Sequence, residues 1–277
     1  MKLDKFLLIT VGALFVIVLI LLAFGGAAFL CLVATRGPII NTGQVMQKSY
    51  DYNGTIAGYD TAGLDVTNIN GPVTVREGDG DAYAIHVNAS GTATDFERYK
   101  IEFTQADVSG VRVLKLEIRD TQEPWTANSK FNSDITVTVP KSKKYDMTLV
   151  TVNGDVRLGE FNCGQLKMAT VNGGLASKAS STNATMATVN GNIDIQTGAL
   201  KGNIFLNTVN GHVAVTIPRD APLSLNAHLV NGVITEDLPL VVSEKSRVGL
   251  VGKTANYTEG IYIETSIVNG DIDIRGR

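Results

Sequence analysis

The sequence predicts an all-β chain, a β-solenoid of stacked rungs behind one N-terminal transmembrane helix, and three observations carry that reading. The phrase Val-Asn-Gly returns at 152–154, 171–173, 189–191, 209–211, 230–232 and 268–270. Apolar residues alternate on both sides of it, as in Leu166-x-Met168-x-Thr170 before a corner and Ile193-x-Ile195 after one, and period two means strands. Ahead of all this, no charged side chain occurs between Phe6 and Thr35.

The uncharged run is long enough to cross a bilayer, which takes roughly 20 apolar residues. A cleaved signal peptide is the rival, since Gly26-Ala27-Ala28 would suit a peptidase, but its apolar region spans only about 7–15 residues. Lys2 and Lys5 against Asp4 hold the N-terminus in the cytoplasm, with Arg36 a weaker opposing charge. Residues 1–36 are therefore expected to form a short tail and signal-anchor helix, and the rest to lie outside a cell membrane crossed once. Lipidation at Cys31 is disfavoured because bulky Leu30 precedes it. Residues 37–48, with Pro38, Asn41 and Gly43, read as a linker, and 49–277 as the extracytoplasmic repeat domain.

The domain opens β-rich without strict repeats. Asn68-Ile69-Asn70-Gly71 followed by Val73-Thr74-Val75 is an isolated early copy of the corner, and strands are predicted at Tyr83–Val87, Tyr99–Phe103, Val111–Ile118 and Ile135–Val139. A single helical turn fits Ala93–Tyr99, and the one tryptophan, Trp125, falls in a polar loop. The repeats then take over, with corners at Asn153-Gly154, Asn172-Gly173, Asn190-Gly191, Asn210-Gly211, Asn231-Gly232 and Asn269-Gly270. The first five asparagines are 19, 18, 20 and 21 residues apart and the last step is 38, so the period is about 19. Such a repeat cannot bury its own apolar side and is stable only when neighbours stack on it. A positive φ at Asn or Gly would make each corner.

Two architectures meet that description. Asn-Gly can close a type I′ hairpin, giving an antiparallel meander. Alternatively it is the corner of a coil whose rungs lie in parallel register, with asparagine on asparagine along one edge. The coil is favoured because a meander gives no reason for Thr and Val to recur with the corner, whereas stacking places like on like. In such a stack Asn269, two periods beyond Asn231, would be the end rung. A longer repeat supports two similar passes: Val137-Thr138-Val139-Pro140 precedes Asn153 as Val215-Thr216-Ile217-Pro218 precedes Asn231.

The order of a membrane segment, an opening Asn-Ile-Asn-Gly strand, a Val-Thr-Val-Pro strand and then Thr-Val-Asn-Gly-Asp-Val repeats resembles the putative-adhesin family of bacterial and archaeal envelope proteins. The resemblance covers about residues 49–277. It implies an envelope-anchored β-solenoid and carries no catalytic residue over.

At a formal net charge of −3, the chain lacks the basic face that nucleic acid needs. Glycosidases and lyases on parallel coils set carboxylates on adjacent rungs. With the rungs aligned in sequence order, the second residue after Asn reads Asp155, Gly174, Asn192, His212, Val233, Asp271, and the fourth reads Arg157, Ala176, Asp194, Ala214, Thr235, Asp273; neither column pairs acids. His86, His212 and His228 are scattered without metal-ligand spacing, and Glu77-Gly78-Asp79-Gly80-Asp81 is half a calcium loop that reads better as a polar turn. No catalytic, cofactor or metal residue is therefore assigned, and the chain is expected not to be an enzyme. Cys163, the second of two cysteines, cannot pair with Cys31 in a bilayer and reads as a quiet buried thiol. Tyr50, Tyr52 and Tyr59 suit an interfacial belt, and Asn53, Asn88, Asn183 and Asn256 stand in glycosylation sequons. The expected role is an adhesin-like or structural module contacting protein or polysaccharide of the envelope. A regulatory or sensory protein with a membrane partner is the alternative, and an enzyme acting on wall polysaccharide the third reading.

Overall fold

The computed structural model describes residues 43–121, 129–198 and 202–277. The expected membrane helix, Cys31 and Trp125 lie outside them. Strand β1 (Met46–Thr55) comes first, so that Met46–Lys48 already pair with Ala89–Gly91. The first rung is β2 (Thr61–Thr67), the Asn70-Gly71 corner and β3 (Val73–Gly78). Then follow β4 (Ala82–Gly91), helix α1 (Ala93–Arg98), β5 (Tyr99–Val108), β6 (Val111–Asp120) and β7 (Asn132–Pro140). From there the rungs are β8 (Lys144–Val150) with β9 (Val156–Leu158), β10 (Asn162–Asn172) with β11 (Leu175–Ser177), and β12 (Ser180–Asn190) with β13 (Ile193–Gln196). Next come β14 (Gly202–Asn210) with β15 (Val213–Ile217), and β16 (Leu223–Asn231) with β17 (Ile234–Glu236). A hairpin of β18 (Leu240–Lys245) and β19 (Gly249–Thr254) precedes the last rung, β20 (Ile261–Asn269) with β21 (Ile272–Gly276).

The fold is all-β, with sheets that are mainly parallel. Strands before the corners form an 11-stranded sheet in the order β18-β19-β16-β20-β14-β12-β10-β8-β2-β6-β5. Strands after them form a 10-stranded sheet, β1-β4-β7-β3-β9-β11-β13-β15-β21-β17. Every corner steps the chain from one sheet to the other, so the inward residues of both meet in one core that runs the length of the stack, among them Leu166, Met168, Ile193, Ile195, Ile204, Leu206 and Ile263. The meander is thereby excluded: asparagine faces asparagine in parallel register, Asn172 on Asn190 and Asn190 on Asn210. Among the described residues antiparallel pairs occur only toward the ends, where β4 joins β1 and β7, β5 joins β6, and β19 joins β16 and β18.

The side-chain amides form an unbroken ladder. Each Nδ2 donates to the Oδ1 of the preceding rung: Asn153 to Asn70 at 2.7 Å, Asn172 to Asn153 at 2.8 Å, Asn190 to Asn172 and Asn210 to Asn190 at 2.9 Å. The ladder then runs to Asn269, which donates to Asn210 at 2.8 Å, and ends at Asn231, which donates to Asn269 at 2.9 Å. The order is not that of the sequence. The rung at Asn269 is intercalated between those at Asn210 and Asn231, with β20 paired to β14 on one side and β16 on the other. Asn231 is the end rung, and the expectation that Asn269 would be is corrected.

The expected positive φ is found at four of the seven corners, at Gly71, Gly211, Gly232 and Gly270, while no corner asparagine has it and Gly154, Gly173 and Gly191 do not. Glycine is required because the rungs touch there: a Cβ on Gly191 would lie 1.8 Å from the Gly173 carbonyl oxygen, and one on Gly173 would lie 1.9 Å from that of Gly154. The same carbonyls serve a second ladder. Thr151, Thr170, Thr188 and Thr208 point into the core just before the corner and donate to the carbonyls of Gly71, Gly154, Gly173 and Gly191 at 3.1, 3.0, 3.0 and 3.1 Å. In the first rung that column holds buried Asn68, which bonds the Gly71 and Ser133 carbonyls and accepts from the Ser133 hydroxyl at 2.6 Å.

These contacts rank three substitutions. Gly191→Ala must push two rungs apart and should cost about 3 kcal/mol, the upper part of the usual range for overpacking. The amides are solvent-exposed, so Asn190→Ala strands no buried group and should cost about 1 kcal/mol for its two hydrogen bonds. Asn231→Ala, losing one, should be milder still. Urea midpoints of residues 43–277 measure the order, and a Gly191→Ala midpoint no lower than that of Asn190→Ala would contradict it.

Candidate interaction surface

The outer residues of each rung form columns whose polar groups are largely engaged in holding the stack. Asp155 Oδ1 accepts the Gly174 amide at 2.8 Å, Asn192 Oδ1 that of His212 at 2.9 Å, and Asp271 Oδ1 that of Val233 at 2.8 Å. Asp155 also holds Arg157 at 2.6 Å, and Asp273 holds Arg275. Intercalation reorders the columns, placing His212 beside Asp271, with Ala214 between Asp194 and Asp273. In the Glu77–Asp81 stretch, Glu77 and Gly78 end β3 and residues 79–81 turn into β4; Glu77 accepts the Glu160 amide and Asp81 pairs with Lys143 at 2.9 Å. Among the described residues no group of three His, Cys, Asp or Glu side chains could hold a metal ion, and no helix is long and apolar enough to cross a membrane.

The histidines stay apart. His86 on β4 faces Asp51 on β1 at 2.7 Å, and His228 lies on the outer face of β16. Tyr50 and Tyr52 pack on the core, Tyr52 against Phe103 with ring centroids 4.8 Å apart, while Tyr59 lies under Arg112 and accepts its hydrogen bond at 3.0 Å. Of the sequon asparagines, Asn53, Asn88 and Asn256 are exposed, whereas Asn183 is half-buried in mid-strand with its Oδ1 accepting from Asn203 at 3.2 Å.

One group of side chains escapes a reading of the sequence. On the outer face of the 11-stranded sheet, the intercalated β20 sets Tyr262 beside Asn203, and Glu264 between Phe205 and Asn226. The Phe205 and Tyr262 rings meet edge to face at 6.2 Å, and the Tyr262 hydroxyl donates to Glu264 Oε2 at 2.9 Å. Burial, reinforced by Glu264, pushes the Tyr262 phenol above its ordinary pKa. Asn226 Oδ1 is buried without a hydrogen-bond partner. The result is two half-exposed rings among amides, a carboxylate and His228, able to stack on an apolar face while hydrogen-bonding at its rim. Phe205 and Tyr262 are 57 residues apart, and only the rung order joins them.

Comparison with known proteins agrees with this architecture. Residues 153–275 match the family model described as Toastrack DUF4097. Among solved structures, a putative cell adhesion protein from Clostridium sporogenes ATCC 15579 superimposes with a TM-score of 0.51 at 12% identity, over 84% of this chain and 100% of that one. A putative adhesin from Bacteroides fragilis NCTC 9343 gives 0.32 at 12% identity over 82% and 97%, too low a score to argue from. No curated protein matches the chain. The family match covers 123 of the 277 residues, and at 12% identity the likeness to the first of these structures is one of fold.

Cys163 lies in the core, 1% exposed, against Tyr145 on the neighbouring rung. Burial, with the nearby Asp146 charge adding to it, pushes its thiol up to about 12. The thiolate is the reactive form, so iodoacetamide at pH 8 should leave Cys163 unmodified in the native protein and alkylate it in urea. Rapid native labelling would overturn this placement.

Proposed function

We propose that this chain is a membrane-anchored, extracytoplasmic rod that acts as an adhesin-like interaction module of the cell envelope and does not catalyse. The observation that carries the reading is the stack itself. Seven corner-bearing rungs are joined by the asparagine ladder and five of them also by the threonine ladder, and the sequence sets that stack behind an uncharged run long enough to span a bilayer. The carboxylates of Asp155, Asp271 and Asp273 are tied to neighbouring amides and guanidiniums, which suits a scaffold better than an acid–base pair. The Phe205–Tyr262 patch offers the ring-and-amide chemistry that recognises sugars or peptide edges. No disulfide or cofactor is needed for this role.

Two measurements test it. Protease added to intact spheroplasts should digest the rod and spare the first 36 residues, and full protection of the rod would refute the topology. Purified residues 43–277 should bind whole cells of the producing strain saturably. Phe205→Ala with Tyr262→Ala should lower that binding at least five-fold while leaving the unfolding free energy from urea melts within about 1 kcal/mol of wild type, as half-exposed positions allow. Undiminished binding would remove the patch from the function.

A further inference from the structure

We propose that a cationic cavity on the edge of the rod opposite the asparagine ladder binds a phosphate group carried on a sugar or polyol. The site goes beyond the Phe205–Tyr262 patch and differs from it in position and in chemistry.

The connections between successive rungs gather on that edge. Lys141 lies between β7 and β8, Glu160 precedes β10 and Asn162 opens it, Lys178 lies between β11 and β12, and Gln196 ends β13. Together with Arg277, which follows β21, they line an open cavity of about 420 Å³, within the usual size of small-molecule sites.

Arg277 reaches this cavity because of the order of the rungs. Strand β21 lies beside β15, and the Arg277 amide donates to the Ile217 carbonyl at 2.9 Å, so only β15 separates it from the end of β13. With the rung at Asn269 last in the stack, β17 would also stand between them. A methyl group on Gly198, just beyond β13, would lie 3.6 Å from both Arg277 Nη2 and Ser180 Oγ. A group of a ligand seated at that point therefore contacts the guanidinium and the hydroxyl together.

The cavity is rich in donors and poor in free acceptors. Lys141, Lys178 and Arg277 line it against one carboxylate, Glu160, in a chain whose formal net charge is −3. Glu160 is already held by Lys141 at 2.8 Å. That contact keeps its carboxyl below the ordinary pKa, and the charges of Lys178 and Arg277 add to the effect. Among the described residues, the side chains of Asn162, Lys178, Ser180, Gln196 and Arg277 enter no hydrogen bond or ion pair. Donors without acceptors call for an anion, because hydrogen bonds between ionised groups are the stronger kind. A phosphate presents its oxygens tetrahedrally to several donors at once, which a planar carboxylate does not, and lysine and arginine are its common partners. Phosphate alone fills only part of the space. Asn162 and Gln196, which donate and accept, suit the hydroxyls of an attached carbon skeleton.

Calorimetric titration of the full chain in detergent with glycerol 3-phosphate tests the site. Binding should be saturable in low salt and weaken as salt is raised. Lys178→Gln with Arg277→Gln should weaken it about ten-fold or more. The control, Arg247→Gln with Lys253→Gln, removes two exposed cations of the β18–β19 hairpin and should leave affinity within about two-fold. Gly198→Asp, which sets a carboxylate beside Arg277 and Ser180, should abolish binding. Glycerate, the carboxylate of similar skeleton, and inorganic phosphate should each bind about five-fold more weakly or worse. Resistance of Cys163 to alkylation checks that each variant is folded. Absence of saturable binding, equal losses in the two double variants, or equal affinity for glycerate would overturn the proposal. Inorganic phosphate binding as tightly as the ester would overturn its sugar or polyol part. The readout is phosphate binding and not cell binding, so failure here is distinct from failure of the proposed function.

Discussion

At each corner a glycine carbonyl oxygen comes so close to the glycine of the next rung that a single methyl group would not fit between them. Neighbouring β-strands sit about 4.8 Å apart wherever they hydrogen-bond, and along this edge the whole backbone turn must keep that spacing. Glycine allows it, and the asparagine and threonine ladders follow from it, because only rungs stacked at strand spacing place amide on amide at 2.7–2.9 Å and threonine hydroxyl on glycine carbonyl. The amides face water and fix register. The threonines face the core and satisfy carbonyls that would otherwise be buried with one partner fewer. Register in turn decides which residues face inward, since a slip of one would turn each strand's apolar set out to solvent.

The ends of the stack are finished with different chemistry. At the first rung, Asn68 and Ser133 replace the threonine-to-glycine contact with a buried network. Beyond it, α1 is closed by a capping box between Thr92 and Asp95, and its last residue, Arg98, holds Asp120 through Nε at 2.7 and 2.8 Å with both side chains nearly inaccessible. A charge buried so deeply is tolerable only when paired, so this end is tied shut by polar groups. The opposite end relies on a hairpin with an apolar outer strand.

Much of this was legible because stacking forces chemical likeness. Val-Asn-Gly recurs since each corner meets only other corners, and the alternation around it named the strands, the corner residues and the inward faces. The strands at Tyr83–Val87 through Ile135–Val139 and the turn at Ala93–Tyr99 were read from local pattern and lie within β4 to β7 and α1. The order of the rungs was not legible. Like phrases are interchangeable as neighbours, and nothing around Asn269 distinguishes a place beyond Asn231 from one beside Asn210. The Phe205–Tyr262 patch was hidden by the same ambiguity, as neither residue is unusual until the rungs are ordered. The need for glycine was credited to positive φ, which holds at Gly71, Gly211, Gly232 and Gly270, whereas at Gly154, Gly173 and Gly191 the cause is the approach of the neighbouring rung alone.

The intercalated rung also sets a timetable. A simple coil can be laid down as it leaves the ribosome, each rung settling on the one before. Here residues 223–236 emerge with no rung yet available on which they finally rest, because that place belongs to residues 261–276, made later. Until those arrive, the rung at Asn210 presents an open face with the exposed edges of two sheets, and the hairpin of β18 and β19 must wait beside it. The period when this chain is most open to mispairing is therefore the interval before residues 261–276 are made.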